Sequence, residues 1–122
     1  MAYELGKLVI SLPKAADFTS KQFRFGKVDS SGNVAVAGLD QPAIGVIDDN
    51  GSVVGSATPV IYGGVAQVLF GASANHGDEL VSDSNGAAVP RATGENHVIG
   101  IALEAGSSGS VGAMLVQPRS YS

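Results

Sequence analysis

The chain repeats itself. Gly26-Lys27-Val28-Asp29-Ser30-Ser31-Gly32-Asn33-Val34-Ala35-Val36 matches Asp78-Glu79-Leu80-Val81-Ser82-Asp83-Ser84-Asn85-Gly86-Ala87-Ala88-Val89. Further along, residues 43–47 match 98–102, 51–55 match 106–110, and 58–61 match 112–115. The offset is 53 at the first strand (79 − 26) and 55 at the later one (99 − 44). Each copy reads strand, Asx-Gly turn, strand, loop, an Ile-Gly-Val or Ile-Gly-Ile strand, Gly/Ser-rich turn, strand. A meander of three or four strands is too short to bury its own apolar face, and two copies can close on each other. The expected fold is all-β: a small β-barrel or sandwich built from two similar meander halves, at about residues 23–70 and 76–116.

Strand periodicity supports this. Short β-branched runs occur at residues 7–12, 23–28, 33–37, 43–47, 60–62, 65–70, 98–103 and 112–116, each bounded by Gly, Asp, Asn or Ser. Fifteen valines and six isoleucines supply most of the bulky aliphatic side chains, which suit a pleated surface better than a helix. Residues 15–22, after Pro13, are the one stretch with helical character, about two turns long. Asn50-Gly51 and Asn85-Gly86 are the strongest hairpin signals. Gly45 and Gly100 fall mid-strand at the same point of both copies. A strand glycine costs stability, so this placement predicts a bulge, a sharp bend or a close backbone approach.

At 122 residues there is room for one β domain, expected over residues 17–122, preceded at 1–16 by a basic N-terminal arm or first strand. Residues 1–27 carry five basic and two acidic side chains (5 − 2 = +3), and the remainder two basic and nine acidic (2 − 9 = −7). The net charge of −4 gives no footprint for nucleic acid, whose binders are usually basic. No apolar run approaches the roughly 18 residues of a membrane-spanning helix, and Lys7 and Lys14 interrupt any leader-like segment. The absence of cysteine excludes disulfides, thiolate metal sites and cysteine nucleophiles.

No catalytic, cofactor or metal constellation emerges, and the chain is expected not to be an enzyme. His76 and His97, with Asp78, Glu79 and Glu95 nearby in sequence, would need to converge to form a metal or acid–base site, and each sits at a loop-to-strand junction. Asp48-Asp49 is adjacent in sequence and reads as a solvated turn. The Asx-rich loops lack the spacing and twelfth-position Glu of an EF-hand. No serine lies in a Gly-x-Ser-x-Gly elbow. The seven aromatics form no ladder for stacking bases or sugars.

Residues 77–90, with Asp83-Ser84-Asn85-Gly86, followed by Val98-Ile99-Gly100-Ile101-Ala102-Leu103-Glu104-Ala105-Gly106 and a closing Val-rich strand, resemble the capsid cement or head decoration proteins of tailed bacteriophages. This family was formerly catalogued as a domain of unknown function in phage structural operons. The first copy is similar to it through Phe23-Arg24-Phe25-Gly26-Lys27-Val28-Asp29-Ser30-Ser31-Gly32 and Pro42-Ala43-Ile44-Gly45-Val46, so the resemblance spans about residues 17–116. It implies a non-enzymatic virion protein, without cofactor, on the outer capsid surface. The implied partner is the major capsid protein, bound by a homotrimer at threefold or quasi-threefold positions, with no nucleic acid or membrane. Tyr3, Leu5, Lys7, Leu8 and Ile10 are candidate capsid- or protomer-binding residues, on an extended arm that would add a strand to a neighbour. The alternative is a receptor- or glycan-binding β module of a virion fibre or tail.

Overall fold

The structure is a computed structural model that describes residues 7–121. Its described residues form nine strands and no helix: β1 (Lys7–Pro13), β2 (Phe25–Val28), β3 (Val34–Val36), β4 (Gly45–Ile47), β5 (Ala57–Leu69), β6 (Glu79–Ser82), β7 (Ala88–Pro90), β8 (His97–Ala102) and β9 (Val111–Ser120). All strand pairings are antiparallel, in the order β3-β2-β4-β5-β9-β8-β6-β7, with β1 added to β5. That order is the repeat made visible, because β3-β2-β4-β5 and β7-β6-β8-β9 run through the same sequence of pairings.

Each half curls until its first strand meets its third. Just past β1, Lys14 forms a parallel bridge with Val34 at the head of β3. Just past β5, Phe70 forms the same bridge with Ala88 at the head of β7. Two five-stranded rings result: ring 1 is β1-β5-β4-β2-β3, and ring 2 is β5-β9-β8-β6-β7. The long strand β5 belongs to both. It ends ring 1 with residues 57–62 and begins ring 2 with residues 64–69, so β1 and the second part of β5 hold equivalent places.

The turns repeat atom for atom. The Asp29 carboxylate accepts from the Ser31 and Asn33 amides at 2.9 and 3.0 Å, and that of Asp83 from Asn85 and Ala87 at 2.8 and 2.9 Å. Gly32 and Gly86 follow at φ of 82° and 78°, the left-handed geometry that closes the hairpin. The turn offset is therefore 54 (83 − 29), one more than the sequence pattern assigns to the first strand. The mid-strand glycines are places of close backbone approach, as expected. A Cβ on Gly45 would stand 2.0 Å from the Ile61 carbonyl oxygen, and one on Gly100 2.3 Å from that of Leu115.

Four local expectations change for physical reasons. Residues 15–22 are not helical: Asp17 takes the Thr19 amide in an Asx turn, Phe18 is drawn into the ring 1 core, and Ser20 has a φ of 63°. The expected strand at 23–28 begins only at Phe25, because Phe23 has a φ of 72°. Asn50-Gly51 does not close a two-residue hairpin; the 48–56 loop turns instead at Gly55, with a φ of 87°. The runs at 60–62 and 65–70 join into one strand, because Gly64, with a φ of 80°, lets β5 bend from one ring into the other without breaking.

The two interiors solve the same space differently. Ring 1 encloses Phe18, Val34, Ile47 and Val60, with Leu12, Val36 and Ile44 packed against them. In ring 2 the equivalent places hold Ala74, Ala88, Ala102 and Met114, and the missing volume is filled by Phe70. The residue equivalent to Phe70 in ring 1 is Lys14. Small neighbours around one large ring, and large neighbours around a lysine stem, keep both interiors filled.

Candidate functional site

Ring 1 carries the most exposed apolar surface of the described residues. On β1, Leu8 and Ile10 are 56% and 44% exposed, although strand residues of this type normally face a core. Ile10, Leu12, Val28, Ile44 and Tyr62 border an open groove, also touched by Pro118, of about 500 Å³. Leu12 and Ile44 reach from its floor into the ring 1 core. Among the described residues nothing seals this groove, which is the open mouth of ring 1. Of the candidate binding residues, Lys7, Leu8 and Ile10 lie in β1, and Tyr3 and Leu5 fall outside the described residues. Lys7 borders a small cleft of about 50 Å³ at the seam between the rings, with Phe23 and Ile61. Sequence reasoning missed Val28, Ile44 and Tyr62, because only the ring closure brings these separate segments to one rim.

The corresponding mouth of ring 2 is sealed. Ala66, Val68, Ser82, Ile99 and Val116 occupy the places of Ile10, Leu12, Val28, Ile44 and Tyr62, and all five are buried. The seal is ring 1 itself: Phe25, Ala37, Val46 and Ile61 share one apolar cluster with the ring 2 interior. The Phe25 amide donates to the Gly86 carbonyl at 2.8 Å, and the Asp40 amide to that of Ser82 at 3.0 Å. Arg24 reaches across as well, donating to the Asn85 carbonyl at 2.8 Å.

Asp40 is the polar clasp of this seam. Its carboxylate accepts from the His97 amide at 3.0 Å and from the Asn96 amide at 3.0 and 3.1 Å. These bonds, that from His97 foremost, hold its pKa below the ordinary 3.8. A depressed carboxylate pKa contributes stability above the unfolded value that is lost as pH falls through the folded one. Asp40→Asn, which keeps an acceptor oxygen and tolerates the residue's φ of 49°, is therefore expected to lower the thermal midpoint at pH 7. The difference from wild type should begin to shrink as pH falls below about 4, where the unfolded carboxyl takes up a proton, and should be gone only below the lowered pKa of folded Asp40. A gap that stays constant down to pH 2 would show that the charge is not what matters.

Lys14 does not contribute to a basic leading surface. It is 2% exposed, and its ammonium donates to Asp49 Oδ2 at 2.7 Å, Thr58 Oγ1 at 3.0 Å and the Ala57 carbonyl at 3.4 Å. The hydrogen bond from Lys14 holds the Asp49 carboxyl below its ordinary range. Asp49 is thus an ion-pair partner at the edge of the core, whereas Asp48 takes the Gln22 side-chain amide at 2.9 Å. Gly51 lies against the lysine stem, where a Cβ would stand 2.9 Å from Cε.

The far end of ring 2 is polar. Glu79 accepts from Arg119 at 2.6 Å and from the Tyr121 hydroxyl at 2.5 Å, and Arg91 lies over the Tyr121 ring at 4.2 Å. The bond to Glu79 pushes the Tyr121 pKa up. His76 is exposed in the turn before β6, whereas His97 opens β8 with Nδ1 3.3 Å from Ser120 Oγ. Among the described residues no three His, Cys, Asp or Glu side chains are grouped to hold a metal ion.

No protein-family model matches the sequence, and no curated protein matches it significantly. Among solved structures, the chain is similar in fold to the head fibre gp8.5 N base of bacteriophage phi29. The TM-score is 0.66 at 17% sequence identity, covering 96% of this chain and 99% of that one. The architecture of two rings in tandem is therefore shared over the whole domain with a solved virion component.

Proposed function

We propose that this chain is a non-enzymatic structural protein of a phage virion that binds the outer surface of the assembled head and stabilises the capsid lattice. The observation that carries this reading is the fold shared, nearly end to end, with a phage head fibre base. The surface agrees with it. The described residues expose an apolar groove and an edge strand, features that suit protein contact, and the −4 net charge disfavours nucleic acid. The partner is the major capsid protein, and the assembly on the lattice is a homotrimer at threefold or quasi-threefold positions. A module that binds only the assembled shell stabilises it by its binding free energy at every site, so an affinity of about 1 μM, roughly 8 kcal/mol, repeated over many copies, suffices.

The likeness to a head fibre base favours one second reading, that the chain is itself the head-attached base of a fibre. Both readings place it on the shell and differ in whether a further module is carried outward. Purified protein is expected to co-sediment with heads assembled without it and to add outward density at threefold or quasi-threefold positions. Failure to bind such heads, together with binding to glycans or host cells, would replace this reading with that of a receptor-binding module.

A further inference from the structure

We infer that the open mouth of ring 1 is a docking groove for a bulky, uncharged apolar side chain presented by an extended segment of the shell protein. The inference rests on the reading of the chain as a shell-binding module, and its warrant is internal. One chain contains two copies of the same mouth, and the molecule itself shows what fills one of them.

In ring 2 the filler is Phe25 with its aliphatic neighbours Val46 and Ile61, brought in on strand backbone and anchored by the Phe25 amide on Gly86. The residues it covers are driven to near-complete burial: Val68 0%, Ile99 1% and Ala66 3% exposed. Their ring 1 counterparts are Leu12, Ile44 and Ile10, which are at least as large and equally apolar, yet among the described residues nothing seals them. Val28 and Tyr62, counterparts of buried Ser82 and Val116, stand 45% and 44% exposed on the same rim. Apolar groups concentrated on one concave site, where the sister site is closed by an aromatic wedge, match a wedge of the same chemistry.

A second copy of this chain is the poorer occupant. Inside the molecule the wedge is the outer face of ring 1. The equivalent outer face of ring 2 carries Glu79 and Arg91 where ring 1 has Phe25 and Ala37, with Arg119 and Tyr121 locked onto them. Driving that network into an apolar mouth would bury charges without new partners, which is costly. The shell protein is free of this constraint.

The test uses the full chain with Val28→Glu and Tyr62→Glu, made singly and together, and Leu39→Glu and Val53→Glu as controls at positions 65% and 67% exposed outside the groove. Rim positions this exposed let a carboxylate reach water, so the isolated variants should keep the wild-type thermal midpoint. The double rim variant is expected to bind undecorated heads at least tenfold more weakly, with the controls unchanged. Wild type that binds heads alongside a rim variant that binds equally well would overturn the groove while leaving the shell-binding reading intact. Wild type that fails to bind would remove that reading first. Two further outcomes also overturn the inference. A lowered midpoint of the isolated rim variants would show that the chain's own residues fill the mouth, and dissociation of a wild-type oligomer seen by light scattering would show that a second copy does.

Discussion

Gly45→Ala should strip the domain of a large fraction of its stability and lower its urea midpoint sharply. A methyl group there would lie 2.0 Å from the Ile61 carbonyl oxygen and 2.7 Å from its carbon, both backbone atoms held by the β4–β5 pairing. No rotamer change relieves such a clash; the strands must part. The β4–β5 pairing is short, Val46 to Ile61 and Ile47 to Val60, and Val60 is part of the ring 1 core. Parting it therefore opens the core as well. Overpacking of this kind costs about 3 kcal/mol or more, a large fraction of the roughly 5–15 kcal/mol that a small domain has. Gly100→Ala meets the Leu115 carbonyl oxygen at 2.3 Å and should be nearly as damaging, with the flexible Met114 side chain at 2.7 Å adding less. Urea unfolding followed by circular dichroism would measure both. Midpoints within experimental error of wild type would mean that the strands can spread freely, and the close-approach explanation would fall.

The second large effect concerns the buried lysine. Asp49→Ala removes the partner 2.7 Å from the Lys14 ammonium and leaves that buried charge with only the Thr58 hydroxyl and the Ala57 carbonyl. Breaking one side of a buried pair typically costs about 3–5 kcal/mol, and the partial exposure of Asp49 places this case near the lower end. Lys14→Met is a different perturbation. It keeps most of the stem's volume, removes the desolvated charge, and leaves Asp49 at the surface, where water can solvate it; ring 2 shows that this position accepts an apolar side chain in Phe70. Its effect should lie within about 1 kcal/mol of wild type. The double variant should recover most of what Asp49→Ala loses. A loss from Lys14→Met as large as that from Asp49→Ala, with the double variant no worse than either, would show that the ion pair itself is a net source of stability.

The fold class, the duplication and the role of the two mid-strand glycines are legible in the amino-acid sequence, since each depends on short-range pattern. Alternation marks strands, Asx before Gly marks hairpins, and a glycine recurring at one point of both copies marks a shared steric limit. What the sequence hides depends on long-range pairing. Lys14 follows Leu8, Ile10 and Leu12 at two-residue spacing, which places it on their face of β1 and hints at burial, but its partner Asp49 is 35 residues away (49 − 14) and resembles any turn aspartate. The stretch 15–22 has enough helix formers to suggest two turns, yet burying Phe18 outweighs that local preference. The apolar groove is hidden because its residues are core residues by every sequence criterion. Among the described residues no wedge lies over ring 1, and this leaves them in water.

The sharing of β5 has a mechanical consequence. A strand common to both barrels couples them in series, so neither can come undone without stripping its neighbour of a wall. Denaturation should therefore proceed as one cooperative event, with the same midpoint whichever end of the molecule carries the probe. Load applied at either end of the molecule would likewise pass through an unbroken stretch of backbone instead of concentrating on a linker.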